Sequence, residues 1–170
     1  MIAFHLDMKM ALLKPAALRA LMRECARLGY DTLVWEIEDA VAWDTCPEAA
    51  APGAYTKAAF KAILKEGRTL GLAHIPLLQT LGHAEYLLRH PAYAGLRERP
   101  DAIHMYCPLN PAVMPLLHRW IAEYLELFGP IRDFHIGADE ARELGACPAC
   151  KAFAAEHSTS RLFIDHINAV

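Results

Sequence analysis

The chain has 170 residues, the length of one ordinary domain, and a formal net charge of -3 that gives no reason to expect a nucleic-acid or anionic-membrane partner. No run approaches the ~20 apolar residues of a membrane span. The N-terminus lacks a basic segment followed by an apolar run, so a cytoplasmic protein without a signal peptide is expected. Hydrophobic residues make up 55%, above the usual ~45–50%, more than a domain of this size needs to bury its own core.

Residues 2–7 form a short apolar run that predicts a first strand. Pro15 suits the first turn of a helix over 16–28, with Leu18, Leu21, Met22 and Cys25 on one stripe and Gly29 as its stop. Residues 32–37, β-branched and aromatic, predict a second strand, and the Ala- and Pro-rich stretch 38–55 a long loop. Thr56 caps a helix to about residue 70, Gly71 ends it, and 72–78 reads as a third strand. The stretch 79–110 is long and irregular, with one short helix at 84–89 broken at Pro91. A helix over 111–128 carries Met114, Leu117, Ile121, Tyr124 and Leu125 at helical spacing, and Gly129-Pro130 punctuates before a fourth strand at 131–136. Residues 147–157 and 161–170 read as further helical turns.

Four strand–helix units in a row argue for an α/β fold with a parallel sheet. The long loops all follow strand C-termini, as at the working face of a (β/α)8 TIM barrel. A whole barrel needs ~250 residues. Residues 1–170 are therefore expected to be about the first four units, the N-terminal half of a barrel, and the apolar excess to lie on surfaces meant for the other half.

Strand C-termini then deliver Asp7 and Lys9, Glu38 and Asp39, Gln79 and His83, and His135, Asp139 and Glu140 to one end. The run Phe134-His135-Ile136-Gly137-Ala138-Asp139-Glu140 is the most informative. Strand alternation lapses at Gly137, so both carboxylates are free to face one pocket. Two crowded carboxylates cannot both ionise freely, which prepares one of them as a general acid. The alternative is an acidic first turn favoured by the helix dipole.

This run resembles the catalytic strand of glycoside hydrolase family 20, the β-N-acetylhexosaminidases, whose pattern is His-x-Gly-Gly-Asp-Glu, with Ala138 in place of the second Gly. The hexosaminidase D branch is the nearer match. The resemblance extends to His5-Leu6-Asp7-Met8-Lys9, Trp35-Glu36-Ile37-Glu38-Asp39, residues 75–83 and Cys107-Pro108-Leu109-Asn110-Pro111. It implies a glycoside hydrolase that releases terminal N-acetylglucosamine or N-acetylgalactosamine with retention and needs no cofactor. Glu140 would be the proton donor and Asp139 the residue that orients the substrate's own 2-acetamido nucleophile, the substrate-assisted exception to the two-carboxylate scheme. His83 would link Glu140 to an Asp of the second strand, Asp39 or, as runner-up, Glu38. Asp7, Lys9, Glu38, Gln79 and His135 would line the substrate. Many members carry an Arg where this chain has Met10, leaving Lys9 either to hold sugar hydroxyls or to be a solvated surface lysine.

Trp43, in the loop after the second strand, is the candidate sugar platform, whereas Trp35 and Trp120 read as core. Cys147-Pro148-Ala149-Cys150 resembles half of a zinc site, to which Cys46 and Cys107 could supply two more thiolates. Free thiols are the favoured reading, and no metal is expected. Cut from a barrel, the sheet would have open edges at 2–7 and 131–136, and self-association is expected. A catalytically incomplete half-barrel or carbohydrate-binding module is the alternative to an active enzyme.

Overall fold

The computed structural model describes residues 1–9 and 11–170. The fold is α/β. Three strands, β1 (Ala3–Asp7), β2 (Thr32–Glu36) and β3 (Ala73–Leu77), form a parallel sheet in the order β1-β2-β3. Ala3 pairs with Thr32 and Asp7 with Glu36, and the register continues from Thr32 to Ala73 and from Glu36 to Leu77. Parallel neighbours require crossovers, supplied by α1 (Pro15–Arg27) and α2 (Lys57–Thr69). α1 starts at Pro15, whose fixed φ suits a first turn, and buries Leu18, Met22 and Cys25, one stripe at helical spacing. α2 is capped by Thr56, whose hydroxyl accepts a hydrogen bond from Ala59 N at 3.1 Å. β2 is buried along most of its length, as a central parallel strand should be.

The remaining helices are α3 (Glu85–Leu88), α4 (Val113–Phe128), α5 (Pro148–His157) and α6 (Thr159–Ala169). In α4 the buried positions are Val113, Leu116, Leu117, Trp120, Tyr124, Leu127 and Phe128, while Leu125, expected on the buried stripe, is exposed. No helix among the described residues is long and apolar enough to cross a membrane.

The expected fourth strand is not a strand. It is reduced to a single parallel bridge between Leu77 and His135. His135 N donates to Pro76 O at 2.9 Å, and Leu78 N donates to His135 O at 3.1 Å. Extending this ladder backwards would require a donor from residue 76 towards residue 133, and proline has none. One residue thus limits the sheet to three full strands.

The chain divides into two compact units, Met1–Leu78 with Ala122–His135, and Gln79–Ile121 with Ile136–Val170. In the first, Trp35 packs edge-on against Phe60, ring centroids 5.3 Å apart, and its Nε1 donates to His74 Nδ1 at 2.9 Å. Indole is a donor only, so Nδ1 is the acceptor, and His74 Nε2 carries the hydrogen and donates to Leu64 O at 2.9 Å. A Cβ on Gly67 would stand 2.4 Å from His74 Cε1, so that helix position must be glycine for the ring to fit. Also in this unit, Glu123 accepts from Asp44 N at 2.7 Å, Thr45 N at 2.9 Å and the Lys57 ammonium at 2.7 Å, pinning the loop after β2. Burial alone would raise the Glu123 carboxyl; these donors overcome it and hold its pKa below the usual carboxylate range. The second unit has apolar clusters around Leu81, Met105 and Ala138 and around Cys107, Cys150 and Leu162.

Burial pushes the His74 pKa down from 6.5 to about 4 against the pull of the Leu64 carbonyl. The unfolded chain therefore binds a proton between pH 6.5 and 4 that the folded ring refuses. Stability from this group is full above pH 6.5 and falls as pH falls through that window, by about 3 kcal/mol at most. Urea denaturation from pH 7.5 to 4.5 should show the decline, and His74→Asn, which keeps an acceptor for Trp35, should be less stable at neutral pH with a shallower decline. An identical pH dependence in the variant would exclude His74 as its source.

Candidate functional site

The second unit contains the Asp139-Glu140 pair. Residues 79–82 and 136–139 meet backbone to backbone: Thr80 N donates to Ile136 O at 3.2 Å and the Thr80 hydroxyl to the same oxygen at 2.7 Å. Gln79 Oε1 accepts from Ala138 N at 3.1 Å. Gln79, expected at the substrate, is buried and its amide oxygen is committed to this loop. The contact is tight enough to exclude side chains. A Cβ on Gly137 would stand 2.2 Å from Gln79 Oε1, and one on Gly82 would stand 2.2 Å from Asp139 O.

The loop that carries the carboxylates is held in unusual backbone geometry. Gly137, Ala138 and Glu140 have φ of 62°, 71° and 50°, and His83 opposite has 54°. Each non-glycine residue there costs on the order of 1 kcal/mol. For Ala138 the cost is offset, because its methyl is buried against Leu81 and Met105, and a buried methyl-sized group contributes about 0.8 kcal/mol. The departure from the Gly-Gly pattern is therefore nearly neutral.

His83 Nε2 lies 3.3 Å from Asp139 Oδ2 and 3.5 Å from Glu140 Oε2, within ion-pair range of both and looser than a strong hydrogen bond. Glu140 is half exposed, and its Oε2 also accepts from Arg142 Nη2 at 2.6 Å. A second histidine, absent from the residues singled out by sequence, stands edge-on to His83 with ring centroids 4.9 Å apart. This is His104, whose Nδ1 lies 2.6 Å from Glu85 Oε1 and whose Nε2 lies 3.0 Å from Glu140 O. Both nitrogens face acceptors. Burial opposes a charge on His104, yet the Glu85 carboxylate and the Glu140 carbonyl outweigh it and raise its pKa. His104 lies in an irregular stretch without periodicity, and Glu85 starts the short helix α3, where nothing local marks it as a histidine partner.

The other candidates lie in the first unit. Glu38 and Asp39 are buried in a short turn, Glu38–Ala40, directly after β2. Glu36, not singled out by sequence, is buried in the strand and accepts from Lys9 Nζ, and its Oε2 lies 2.8 Å from His5 Nε2. Lys9 also lies 3.3 Å from Asp7 Oδ2. Burial would lower the Lys9 pKa, but Glu38, Glu36 and Asp7 together raise it, so Lys9 is a paired group and not a solvated surface lysine. His135 is exposed, beside its bridge to β3. Met10 lies outside the described residues.

The expectation for Trp43 is corrected. It is 2% exposed, its ring is stacked on Tyr124 at 4.2 Å, and its Nε1 donates to Glu38 O at 2.5 Å. The face expected to meet a sugar is covered by a tyrosine, because the loop it stands on is folded inward. Trp35 and Trp120 are fully buried, as expected.

No family model matches the chain. Human hexosaminidase D is 34% identical over 172 residues, covering 98% of this chain and 35% of the human protein. Hexosaminidase D of Bos taurus is 31% identical over 169 residues, covering 98% of this chain and 49% of its own length. The chain therefore spans between about a third and a half of these relatives. Among solved structures, a chitobiase from Flavobacterium johnsoniae superposes with a TM-score of 0.83 at 20% identity, over 98% of this chain and 29% of that one. A β-N-acetylhexosaminidase from Bacteroides fragilis gives 0.80 at 18% identity, over 96% and 37%. The N-acetyl-β-hexosaminidase of Streptomyces plicatus, solved with thio-NAglucal, gives 0.73 at 22%, over 97% and 37%. This chain is thus similar in sequence to hexosaminidase D across nearly its whole length, and its α/β fold resembles part of the solved hexosaminidases.

Proposed function

We propose that this chain supplies the acid side of a retaining, substrate-assisted β-N-acetylhexosaminidase acting on terminal N-acetylglucosamine or N-acetylgalactosamine. The observation that carries the reading is His83 Nε2 placed between the Asp139 and Glu140 carboxylates on a loop held in left-handed backbone. In the first step the substrate's acetamido oxygen attacks the anomeric carbon and the bond to the leaving oxygen breaks. Glu140 gives that oxygen its proton, and Asp139 faces the positive charge that grows on the acetamido group. In the second step water attacks the same carbon, its proton passes to Glu140, and the acetamido group is released with net retention. An intramolecular nucleophile held in line has a high effective molarity, so the protein need not provide one. His83 would orient the two carboxylates and pass protons to and from Glu140.

The TIM-barrel assignment is part of the same proposal: residues 1–170 would be the N-terminal half of the catalytic barrel in a cytoplasmic enzyme. A second reading, that the chain by itself is a catalytically incomplete half-barrel, is favoured by its coverage of only 35–49% of the relatives. Comparing hydrolysis of a nitrophenyl N-acetylhexosaminide by this polypeptide and by a C-terminally extended one separates the two. We also propose self-association through β1, where Ala3, His5 and Asp7 are exposed, Phe4 and Leu6 only half buried, and Ile2 beside them 61% exposed. Light scattering at high micromolar concentration should give a mass above that of one chain; a monodisperse monomer would rule it out.

In whichever polypeptide turns over, Glu140→Gln should lower kcat/KM about 10²–10⁴-fold for substrates with poor leaving groups, and far less for nitrophenyl substrates. Equal losses on both would remove Glu140 from the acid role. Asp139→Asn should cost about 10²–10³-fold on all N-acetyl substrates, whatever the leaving group; a variant with most of its activity would exclude it from the mechanism. Gly82→Ala would push against Asp139 O, and a shift of about 1 Å at the reacting groups is worth about 10²-fold. Wild-type kcat in a stably folded Gly82→Ala protein would show that this close approach does not position the carboxylates.

A further inference from the structure

Outside the carboxylate site, the second unit gathers three cysteines and one glutamate with nothing in the hexosaminidase reading to explain them. Glu98, Cys107, Cys147 and Cys150 each offer one donor atom, all within 4.8 Å of one another. Cys107 Sγ lies 3.7 Å from Cys147 Sγ and 3.6 Å from Cys150 Sγ. These are not disulfides, which need about 2.05 Å. They match the edge of a tetrahedron around a metal bonded to sulfur at ~2.3 Å, which is ~3.8 Å. Glu98 is 1% exposed; its Oε1 accepts from Cys147 N at 2.9 Å, and its Oε2 is buried and accepts no hydrogen bond among the described residues. A buried carboxylate oxygen left in that state is costly unless a cation meets it.

The backbone is arranged to hold this set. Arg97 and Tyr106 form an antiparallel bridge, Glu98 N donates to Met105 O at 3.0 Å, and Cys107 N donates to Leu96 O at 2.8 Å, so Glu98 and Cys107 are fixed by one hairpin. Cys147 is the N-cap of α5, Pro148 occupies its first turn, and Cys150 N donates to Cys147 Sγ at 3.3 Å. That N–H···S contact across a two-residue spacing is the kind of support that favours a thiolate ligand. A divalent cation would bind the cysteines as thiolates and balance their charge and that of Glu98.

We propose that Glu98, Cys107, Cys147 and Cys150 form a closed four-ligand site for a structural zinc ion. This reverses the preference for free thiols at Cys147 and Cys150, keeps Cys107, and replaces Cys46, which belongs to the first unit, with Glu98. With every ligand position taken by protein there is no place for a reacting water, so the ion is a brace and not a catalyst. It ties the hairpin that bears His104 to the segment leaving Glu140, since Cys147 follows Glu140 by seven residues and His104 precedes Cys107 by three. The inference does not depend on the hexosaminidase reading.

The test is metal content and spectroscopy on the whole chain. After desalting, protein made with zinc present should retain about one zinc per chain, and stripping the metal should raise the reactivity of Cys107, Cys147 and Cys150 towards a thiol reagent. Replacement by cobalt(II) should give an intense thiolate-to-metal charge-transfer band and the visible bands of a tetrahedral site. Glu98→Gln should weaken zinc binding at least about 10-fold, whereas Cys25→Ser and Cys46→Ser should retain the metal. A chelator should lower the thermal midpoint, and added zinc should restore it. Protein that loses all metal on desalting, gives no cobalt charge-transfer band and shows no change in thiol reactivity on chelation would overturn the site, as would a disulfide between Cys107 and Cys150. These readouts on the unmodified chain keep the proposal testable where a cysteine variant fails to fold.

Discussion

The backbone of residues 136–139 lies against residues 79–82 more closely than any side chain permits, and the candidate site is a consequence of that approach. With 2.2 Å between a hypothetical Cβ at Gly82 and Asp139 O, and the same between Gly137 and Gln79 Oε1, both positions are limited to glycine. Thr80 and Gln79 hold the contact by three hydrogen bonds. The chain then has to turn within three residues, and it does so through left-handed Gly137, Ala138 and Glu140. The carboxylates diverge from strand geometry at that turn, which lets both reach His83. Strain of this kind persists only where surrounding contacts over-determine it, and here backbone contacts supply them.

Buried charge is handled differently in the two units. In the first, Glu123 is met by Lys57 and two backbone N–H groups, and Glu36 by Lys9 and the His5 ring. His74 is instead kept neutral by burial, with a donor on one ring nitrogen and an acceptor on the other satisfying the neutral ring. In the second, His104 is drawn towards its charged form by acceptors on both nitrogens. Two histidines in one chain are thus shifted in opposite directions, His74 down by burial and His104 up by its acceptors.

Local patterns were legible in the sequence; partners distant along the chain were not. The helical stripes, the Pro15 and Thr56 starts and the three strands follow from periodicity and caps, with boundaries moved by one or two residues. The Asp139-Glu140 turn was readable because its glycine and paired carboxylates are contiguous. The fourth strand failed on a property of its neighbour, since Pro76 withholds the donor that would extend the ladder. Trp43 was misread because exposure was inferred from its position in a loop, and that loop is drawn inward by Glu123, seventy-nine residues from Asp44. Glu98 and His104 lie in an irregular stretch, and Glu85 in a helix too short for a pattern, so only the fold assigns them neighbours.

The division of the chain has a consequence for how it must be made. Each unit is discontinuous: the first ends with residues 122–135, and the second is interrupted by them. During synthesis, residues 1–78 emerge without the Glu123 carboxylate that fixes the loop after β2, and residues 79–121 emerge without the partners of His83 and Gly82. The first waits for residues 122–135 and the second for residues 136–170, so neither can close until synthesis has passed through a stretch of the other. Order therefore arrives late and together, and a nascent chain halted before α4 would expose both unfinished cores at once.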